Sequence, residues 1–325
     1  MATFDPTRSL TIRKAVYTRI EALWREIKTD IRKTFETNNL GLITQQVALP
    51  SEFAGLSNSE KVAAFQRYFD RLTAEKVVST YKPIPTEILI AARSTTKGVE
   101  RALRNMDIFD AITLGLAHAY NSGAVSTYLQ AKSIFPVLED SAVAAQTIGG
   151  GVSATLGSTV AGVFTNNVHL QRFELMRRKS FDLLLGTRGL ASSQVSAALS
   201  AGIIRGENPN KIARTMNRRV DSIGLVRSRR IARTEIIRSH NEGAIEEGKL
   251  LSELSGETIY YRWSTRLDGR ERDAHKRRNG KAFTRKRALA LIGEPNCRCG
   301  VRPTRLMKGE KASKLQRSLD SNPVR

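Results

Sequence analysis

The sequence predicts a mainly α-helical protein with a small α+β module near its C-terminus. Long stretches repeat apolar residues at intervals of three and four, which is the spacing of an amphipathic helix. Aromatic residues make up only 6% of the chain, which favours helices packed through aliphatic side chains over a β-sandwich. One short segment alternates apolar and polar residues as a half-buried strand does. We therefore expect an N-terminal helical bundle and a few short strands near residues 258–303.

The bundle is predicted to occupy residues 1–140. Its clearest stripe places apolar residues three and four apart along one helix: Val16, Ile20, Leu23, Trp24, Ile27, Ile31 and Phe35. A second helix is expected to begin after Ser59, since serine often caps a helix N-terminus, and to end before Pro83. Such stripes face the core of a bundle, and we assign no chemistry to them.

The segment 141–171 contains no Asp, Glu, Lys or Arg. Small residues recur in it at every fourth position: Ala145, Gly149, Ser153, Gly157 and Ala161. On a helix this spacing lets another backbone approach closely, but only about half of the segment is apolar, and a membrane-spanning helix needs about 20 mostly apolar residues. We interpret it as a boundary between the bundle and an α+β module at 172–305, followed by a basic tail at 306–325. Membrane contact through 141–171 is the less favoured alternative.

The chain is strongly basic, with 53 Lys and Arg against 31 Asp and Glu and a net charge of +22. Residues 201–325 hold 30 of the basic and 14 of the acidic side chains, a net of +16, which leaves only +6 for the first 200. A surface of this kind attracts polyanions. A solvated basic face without a partner is the alternative, but the size of the excess favours nucleic acid as a neighbour.

The basic residues are densest between Arg262 and Arg287, where 11 Lys and Arg accompany three acids. Contacts from such a run go to phosphates and do not read sequence. The side chains that we expect to contact DNA are Arg272, Lys276, Arg277, Arg278, Lys281, Arg285, Lys286 and Arg287.

A scattered constellation of polar, glycine and aromatic residues lies in the same third of the chain. Its members are Arg233, Thr234, Glu235, Asn241, Trp263, Asp268, Arg270, His275, Gly280, Pro295, Asn296, Cys297 and Cys299. The first four belong to a predicted helix at about 225–251, Trp263 to a predicted strand, and the others to a long loop. Pairing of arginine with carboxylate fixes both distance and orientation. We therefore predict a cross-link between helix and loop, made by Arg233, Glu235, Asp268 and Arg270.

In order and spacing this constellation resembles the Mu F-like minor head proteins of tailed bacteriophages, also called phage head morphogenesis proteins. The resemblance covers roughly residues 195–303, and the first 190 residues do not contribute to it. It implies a virion protein in the head interior near the portal, with a part in head assembly and in DNA packaging or ejection. The implied partners are the portal protein and packaged double-stranded DNA, with scaffolding or major capsid protein as further candidates. Assembly would take place in the cytoplasm of the bacterial host.

A metal site is a second interpretation of part of this constellation. His275, Cys297 and Cys299, with Asp268 as a fourth residue, are of types that bind zinc. The Cys-x-Cys spacing is tighter than that of most zinc sites, and some relatives in the resembled family carry an extra cysteine pair near Asp268 to His275 that this chain lacks. The alternative is that both cysteines are small fillers of a half-buried turn. We expect no cofactor and leave a structural zinc as the alternative.

Enzymatic activity is not predicted. His275 followed by Asn279 has the order seen in metal-dependent nucleases, but the ligand set is incomplete, and the chain has neither a P-loop nor a Ser/His/Asp order. Two alternatives stay open: a nuclease or toxin built on the same module, and a DNA-binding protein without a place in the virion. The N-terminus lacks the order of a signal peptide, and we expect folding in the cytosol.

Overall fold

The computed structural model describes residues 5–7, 9–36, 57–92, 96–135, 163–164 and 166–314. Within these ranges the chain is predominantly helical and carries a small antiparallel sheet near the C-terminus. The predicted fold class is confirmed.

The described residues of the N-terminal part form five helices with the following bounds: α1 (Leu10–Glu36), α2 (Asn58–Lys76), α3 (Thr86–Ala91), α4 (Thr96–Leu103) and α5 (Ile108–Ile134). The predicted apolar stripe of α1 is buried along its whole length. The predicted cap of α2 was wrong by two residues, because Ser57 and not Ser59 caps it. Ser57 Oγ accepts from the Glu60 N–H while the Glu60 carboxylate accepts from the Ser57 N–H, and this reciprocal pair satisfies two free backbone donors.

The C-terminal part contains α6 (Asn167–Ile204), α7 (Pro209–Arg219), a π-helical turn (Val220–Leu225), α8 (Val226–Ser255), β1 (Tyr260–Ser264), α9 (Asp273–Arg278), β2 (Ala282–Phe283), α10 (Arg285–Leu291) and β3 (Gly300–Thr304). The strand order is β2-β1-β3, and β1 is antiparallel to both neighbours. Tyr261 and Trp263 of β1 are buried, as the alternating pattern predicts. Pro303 lies in β3 at the edge of the sheet, where a residue without an N–H is tolerated.

The central contact of the fold is the packing of α8 on α5. A Cβ atom added to Gly123 would lie 2.0 Å from the carbonyl oxygen of His240, and one added to Gly243 would lie 2.2 Å from that of Tyr120. Only glycine allows the two backbones to approach so closely. As a consequence α8 is enclosed by protein, and every residue from 239 to 248 is buried.

Because α8 is enclosed, its acidic side chains need partners. The pairs are Glu235 with Lys179 (2.8 Å), Glu242 with Arg172 and Arg238 (2.5 and 2.6 Å), Glu246 with Arg285 (2.8 Å) and Glu247 with His169 (3.0 Å). A buried carboxylate left unpaired would be costly. These pairs therefore fix α6 and the start of α10 in position around α8.

The apolar core is one cluster to which α1, α2, α5, α6 and α8 all contribute. Helices from the predicted bundle at 1–140 thus share their core with helices from the predicted module at 172–305. Residues 141–162 of the uncharged segment and the tail beyond Lys314 lie outside the described residues. The domain limits therefore stay predictions. Among the helices that the structure describes, none combines the length and apolar character that a membrane crossing requires.

Candidate metal centre

The candidate centre lies where α9 and the segment before β3 meet. His275 is in α9, and Cys297 and Cys299 precede β3 directly. Asn296 adopts a left-handed conformation with φ of 58°, and its N–H donates to Thr234 Oγ1 of α8 at 3.1 Å. The side chain of Thr234 therefore holds the turn from which both cysteines follow.

Asn241 fixes the other end of this segment. Its Nδ2 donates to the carbonyl of Cys299 and its Oδ1 accepts from the N–H of Val301, both at 3.0 Å. One amide side chain thus pairs with two backbone groups of the chain that enters β3. Since only an amide offers a donor and an acceptor in this geometry, Asn241 acts as a clamp between α8 and the cysteine segment.

The three candidate ligands converge. His275 Nδ1 lies 3.3 Å from Cys299 Sγ and 3.5 Å from Cys297 Sγ, and all three ligand atoms lie within 4.8 Å of one another. The residues are buried, with 4%, 8% and 2% of their surface exposed for His275, Cys297 and Cys299. In tetrahedral zinc sites with Zn–N of about 2.0–2.1 Å and Zn–S of about 2.3 Å, the nitrogen and sulfur atoms are about 3.6 Å apart. The observed distances are close to that value.

The second ring nitrogen of His275 is held by Glu294. Nε2 lies 2.7 Å from Glu294 Oε2, and the same carboxylate accepts from Arg278 at 2.9 Å and from Arg272 at 3.0 Å. When Nε2–H donates to a carboxylate, the lone pair is on Nδ1, which faces the two sulfurs. The sequence interpretation did not include Glu294. Its place three residues before Cys297 is the only sequence signal that points to it.

The protonation of this group follows from its contacts. The hydrogen bond with Cys299 and that with His275 hold the pKa of Cys297 well below its usual range, although burial opposes this. Burial favours neutral His275, but its bonds to Cys297 and Glu294 raise its pKa to about 9. The hydrogen bond to Cys297 and burial raise the pKa of Cys299. These contacts therefore shift the pKa of Cys297 toward the thiolate, which is the form of cysteine that binds zinc.

Asp268 does not take part in this group. Both of its oxygens accept from the guanidinium of Arg298, with Oδ1 2.6 Å from Nη2, and Oδ1 also accepts from the N–H of Arg270 at 3.2 Å. The predicted cross-link of Arg233 and Glu235 with Asp268 and Arg270 is not formed either. Glu235 pairs with Lys179 of α6 instead. Asp268 and Arg298 thus form an ion pair within the segment that joins β1 to β3.

Arg233 lies among other arginines. Burial lowers its pKa, and the charges of Arg13, Arg298 and Arg266 act in the same direction, while Tyr17 opposes them. Arg233 thus lies in a positive electrostatic environment.

Trp263 and Gly280 shape the base of the module. The indole of Trp263 is buried under the guanidinium of Arg278, 5.4 Å from the ring centre. Gly280, with φ of 74°, donates its N–H to the carbonyl of Trp263 at 2.8 Å. The left-handed conformation explains glycine at this turn.

The residues predicted to contact DNA differ in their exposure and in their ion pairs. Lys276, Arg277, Lys281 and Lys286 are exposed, and Arg287 is half-buried. Arg278, in contrast, is 1% exposed and held by Glu294, so the prediction of a DNA contact was wrong for this residue. The guanidinium groups of Arg272 and Arg285 bind Glu294 and Glu246, respectively.

The sequence analysis missed a second exposed basic stripe on α7. Its residues are spaced three and four apart in the sequence: Lys211, Arg214 and Arg218.

The nuclease alternative gains no support from this geometry. Both ring nitrogens of His275 are occupied, one by the sulfurs and the other by Glu294. Asn279 Oδ1 accepts from the N–H of Thr265 at 2.9 Å. Neither side chain is thus placed to activate a water or to bind a metal at a phosphate.

Comparison with known proteins gives one match. Residues 193–302 match the family model described as Phage Mu protein F like protein. The match begins within α6, ends within β3 and includes the candidate centre, and it spans about a third of the 325 residues. It agrees with the range of roughly 195–303 in which the sequence resembles that family, and the resemblance is confirmed. No curated protein and no solved structure matches the chain.

Proposed function

We propose that this chain, whose residues 193–302 match the Phage Mu protein F like family, is a minor head protein that associates with the portal and contacts packaged DNA. The family match is the observation that carries the proposal. It indicates a phage head morphogenesis protein with a structural place in the virion. Association with the portal in the head interior, a role in packaging or ejection, and contacts to scaffolding or major capsid protein are the finer parts of the proposal.

The exposed basic side chains support the contact with DNA. Lys276, Arg277, Lys281 and Lys286 lie on or beside α9, β2 and α10, and all four are exposed. Together with the stripe on α7 they give the C-terminal part a positive surface. Side chains of this kind bind phosphates and discriminate little between sequences, which suits a protein that meets a whole genome.

The DNA contact is tested by the salt dependence of binding. We would measure the affinity for a random-sequence DNA duplex by fluorescence anisotropy across a range of salt concentrations. The log–log slope falls by about 0.9 for each phosphate contact that is lost. The variant Arg277→Gln/Lys281→Gln/Lys286→Gln should therefore reduce the slope by about 2 to 3.

The matched control removes the same charge from exposed positions on α1 and α2, with Lys14→Gln/Arg25→Gln/Arg67→Gln. We expect this variant to keep the slope of the wild type. Equal losses in both variants would mean that net charge alone drives binding, and the assignment of a DNA-facing surface would then be rejected.

The association with the portal is tested by co-expression with the portal protein of the same phage. After purification at moderate salt, mass photometry should show a portal ring with a fixed small number of bound copies. A chain that elutes alone, or only with nucleic acid, would contradict the portal part of the proposal. DNA binding without any portal affinity would favour the DNA-binding alternative.

A further inference from the structure

We propose that this protein binds a structural zinc ion through His275 Nδ1, Cys297 Sγ and Cys299 Sγ, with the fourth position facing the adjoining cavity. The inference goes beyond the proposed role in the phage head and does not depend on it. It is drawn from the arrangement of three side chains, the residues that orient them and the cavity beside them.

The first argument is the convergence of three ligand atoms of the types that zinc prefers. The nitrogen-to-sulfur distances of 3.3 and 3.5 Å match the edges of a zinc tetrahedron without rearrangement of the backbone. The N–H of Cys299 also points at Cys297 Sγ at 3.4 Å. Such a donor stabilises a thiolate, which is the ligand form of cysteine.

The second argument is the orientation of His275. Metal-binding histidines commonly donate their other ring N–H to a carboxylate, which fixes the tautomer and the ring plane. Glu294 has this role, since it lies 2.7 Å from Nε2 and is itself held by Arg278 and Arg272. A histidine that merely filled the core would not require a carboxylate anchored by two arginines.

The third argument is a cavity that opens onto the three ligands. It has a volume of about 120 Å³ and is lined by the three ligands, by Glu271 and by four arginines, Arg266, Arg270, Arg272 and Arg298. This volume admits an ion and several waters. A metal can therefore reach the ligands without unfolding of the module.

Glu271 is the acidic residue that lines this cavity. Its side chain is 4% exposed, and Oε1 accepts from Arg298 at 3.0 Å. Oε2 is buried and has no hydrogen-bond partner among the described residues. Glu271 is not among the ligand atoms that lie within 4.8 Å of one another, so its carboxylate contributes negative charge beside the site and is not a ligand in this arrangement. Asp268, the fourth ligand that the sequence suggested, is occupied by Arg298.

The physical role of the ion would be to close the module. The segment between β1 and β3 contains only two short helices and a two-residue strand, so its own apolar core is small. Zinc would join α9 to the chain that enters β3, which Asn241 already attaches to α8. Metal binding of this kind contributes directly to folding free energy.

The first test uses the untagged full chain and needs no substitution. Metal content by mass spectrometry should show about one zinc per chain after expression in zinc-supplemented medium. After exchange into Co²⁺, a thiolate-to-cobalt charge-transfer band should appear. The chain has only two cysteines, so such a band can arise only from Cys297 and Cys299. Absence of both zinc and the band would overturn the proposal.

Amino-acid substitutions then test the contribution of each residue to zinc binding. Cys297→Ser/Cys299→Ser should lose zinc, whereas Glu294→Gln, which alters the partner of His275 Nε2, should keep the cobalt band and bind zinc about 10- to 100-fold more weakly. His275→Asn should also lose zinc, whereas His118→Asn, a substitution of the same type at a ring that contacts the carbonyl of Ala92 and does not line the cavity, should retain full metal content. Retention of zinc by the cysteine variant would overturn the site, and unchanged affinity in Glu294→Gln would overturn the role of Glu294 in orienting His275.

If the cysteine variant does not fold, the wild type still decides the question. Titration with a mercurial reagent should release zinc in proportion to the two thiols as they react. Zinc release that does not follow thiol modification would show that the metal is bound elsewhere, and the proposal would fail.

Discussion

Asn241 shows how one side chain can determine the position of a whole segment. Its amide bonds to the carbonyl of Cys299 and to the N–H of Val301, both at 3.0 Å and both buried. The backbone groups that it satisfies would otherwise be desolvated without partners. The registry between α8 and the cysteine segment therefore depends on the chemistry of this residue and not on its size.

The substitution Asn241→Asp tests this dependence at constant volume. The carboxylate keeps the acceptor for Val301 but places an oxygen against the carbonyl of Cys299. We expect the free energy of unfolding to fall by about 2 kcal/mol, measured by urea denaturation. Asn210→Asp, at an exposed position in the first turn of α7, is the control and should change stability little. Equal stability of Asn241→Asp and wild type would show that the clamp contributes nothing.

Asp107 is the N-cap of α5, where its side chain accepts from the N–H of Asp110 at 2.7 Å. Burial raises its pKa from the usual 3.8 to about 7, against the effect of that hydrogen bond. The unfolded chain ionises near pH 4 while the native carboxyl keeps its proton. Stability therefore falls as the pH rises from about 4 to about 7 and does not recover above that.

Asp107→Asn should remove this dependence, because asparagine caps helices as well as aspartate does. We expect the stability of the variant relative to wild type to increase by about 1–2 kcal/mol between pH 5 and pH 8. Asp182→Asn, at an exposed carboxylate, is the matched control and should show no such increase. A constant difference across the pH range would contradict the assignment to Asp107.

At the scale of elements, the contact of α5 with α8 organises the fold. Gly123 and Gly243 let the two helix backbones touch, since an added Cβ would lie 2.0 or 2.2 Å from a carbonyl oxygen of the other helix. Glycine inside a helix costs about 0.5–1 kcal/mol relative to alanine. The cost is offset by the close approach, which encloses α8 and brings its buried glutamates to their partners.

Gly243→Ala should therefore destabilise the protein, although helix propensity alone favours alanine over glycine inside a helix. The methyl group would overlap the carbonyl of Tyr120, and we expect a loss of about 2 kcal/mol or more in the free energy of unfolding. Gly186→Ala in α6, where no atom lies within 4 Å of the added Cβ, should instead stabilise by about 0.5–1 kcal/mol. Thermal melts of both variants measure the difference. Stabilisation by both substitutions would show that the helices can separate at no cost.

At the scale of the molecule, the family match and the apolar core do not have the same limits. The match begins at residue 193, yet α8 within it packs on α5, and one core includes apolar residues from α1 to β3. The matched part thus depends for its burial on helices outside the match. The positive charge follows neither of these limits, because +16 of the net charge of +22 belongs to residues 201–325.

A fragment of residues 166–314 should consequently fail to fold on its own. Without α5, the buried face of α8 with Gly243 and Ile236 would be exposed to water. We expect a protease-sensitive fragment without a cooperative thermal transition, and recovery of the transition when residues 1–140 are co-expressed. A cooperative melt of the isolated fragment would show that the matched part is an independent domain.

Much of the architecture was predictable because its signals are local. The stripe of α1 and the alternation around Trp263 follow from periodicity. The residues around the candidate centre were also identified, since histidine and cysteine are few in this chain. The cap of α2 was misplaced because Ser57 and Ser59 are both suitable residues, and only the reciprocal bond with Glu60 distinguishes them.

The helical class, the small C-terminal sheet, the concentration of positive charge and the resemblance that the family match confirms were all predictable from the chain. Periodicity, composition and spacing are properties of neighbouring residues, so they can be read along the chain. That Asp268 meets Arg298, that Glu294 orients His275 and that Arg278 is buried follows only from the packing of helices and strands. Several acids and arginines of similar spacing compete in this loop, and which of them pair depends on how α8, α9 and β3 pack together.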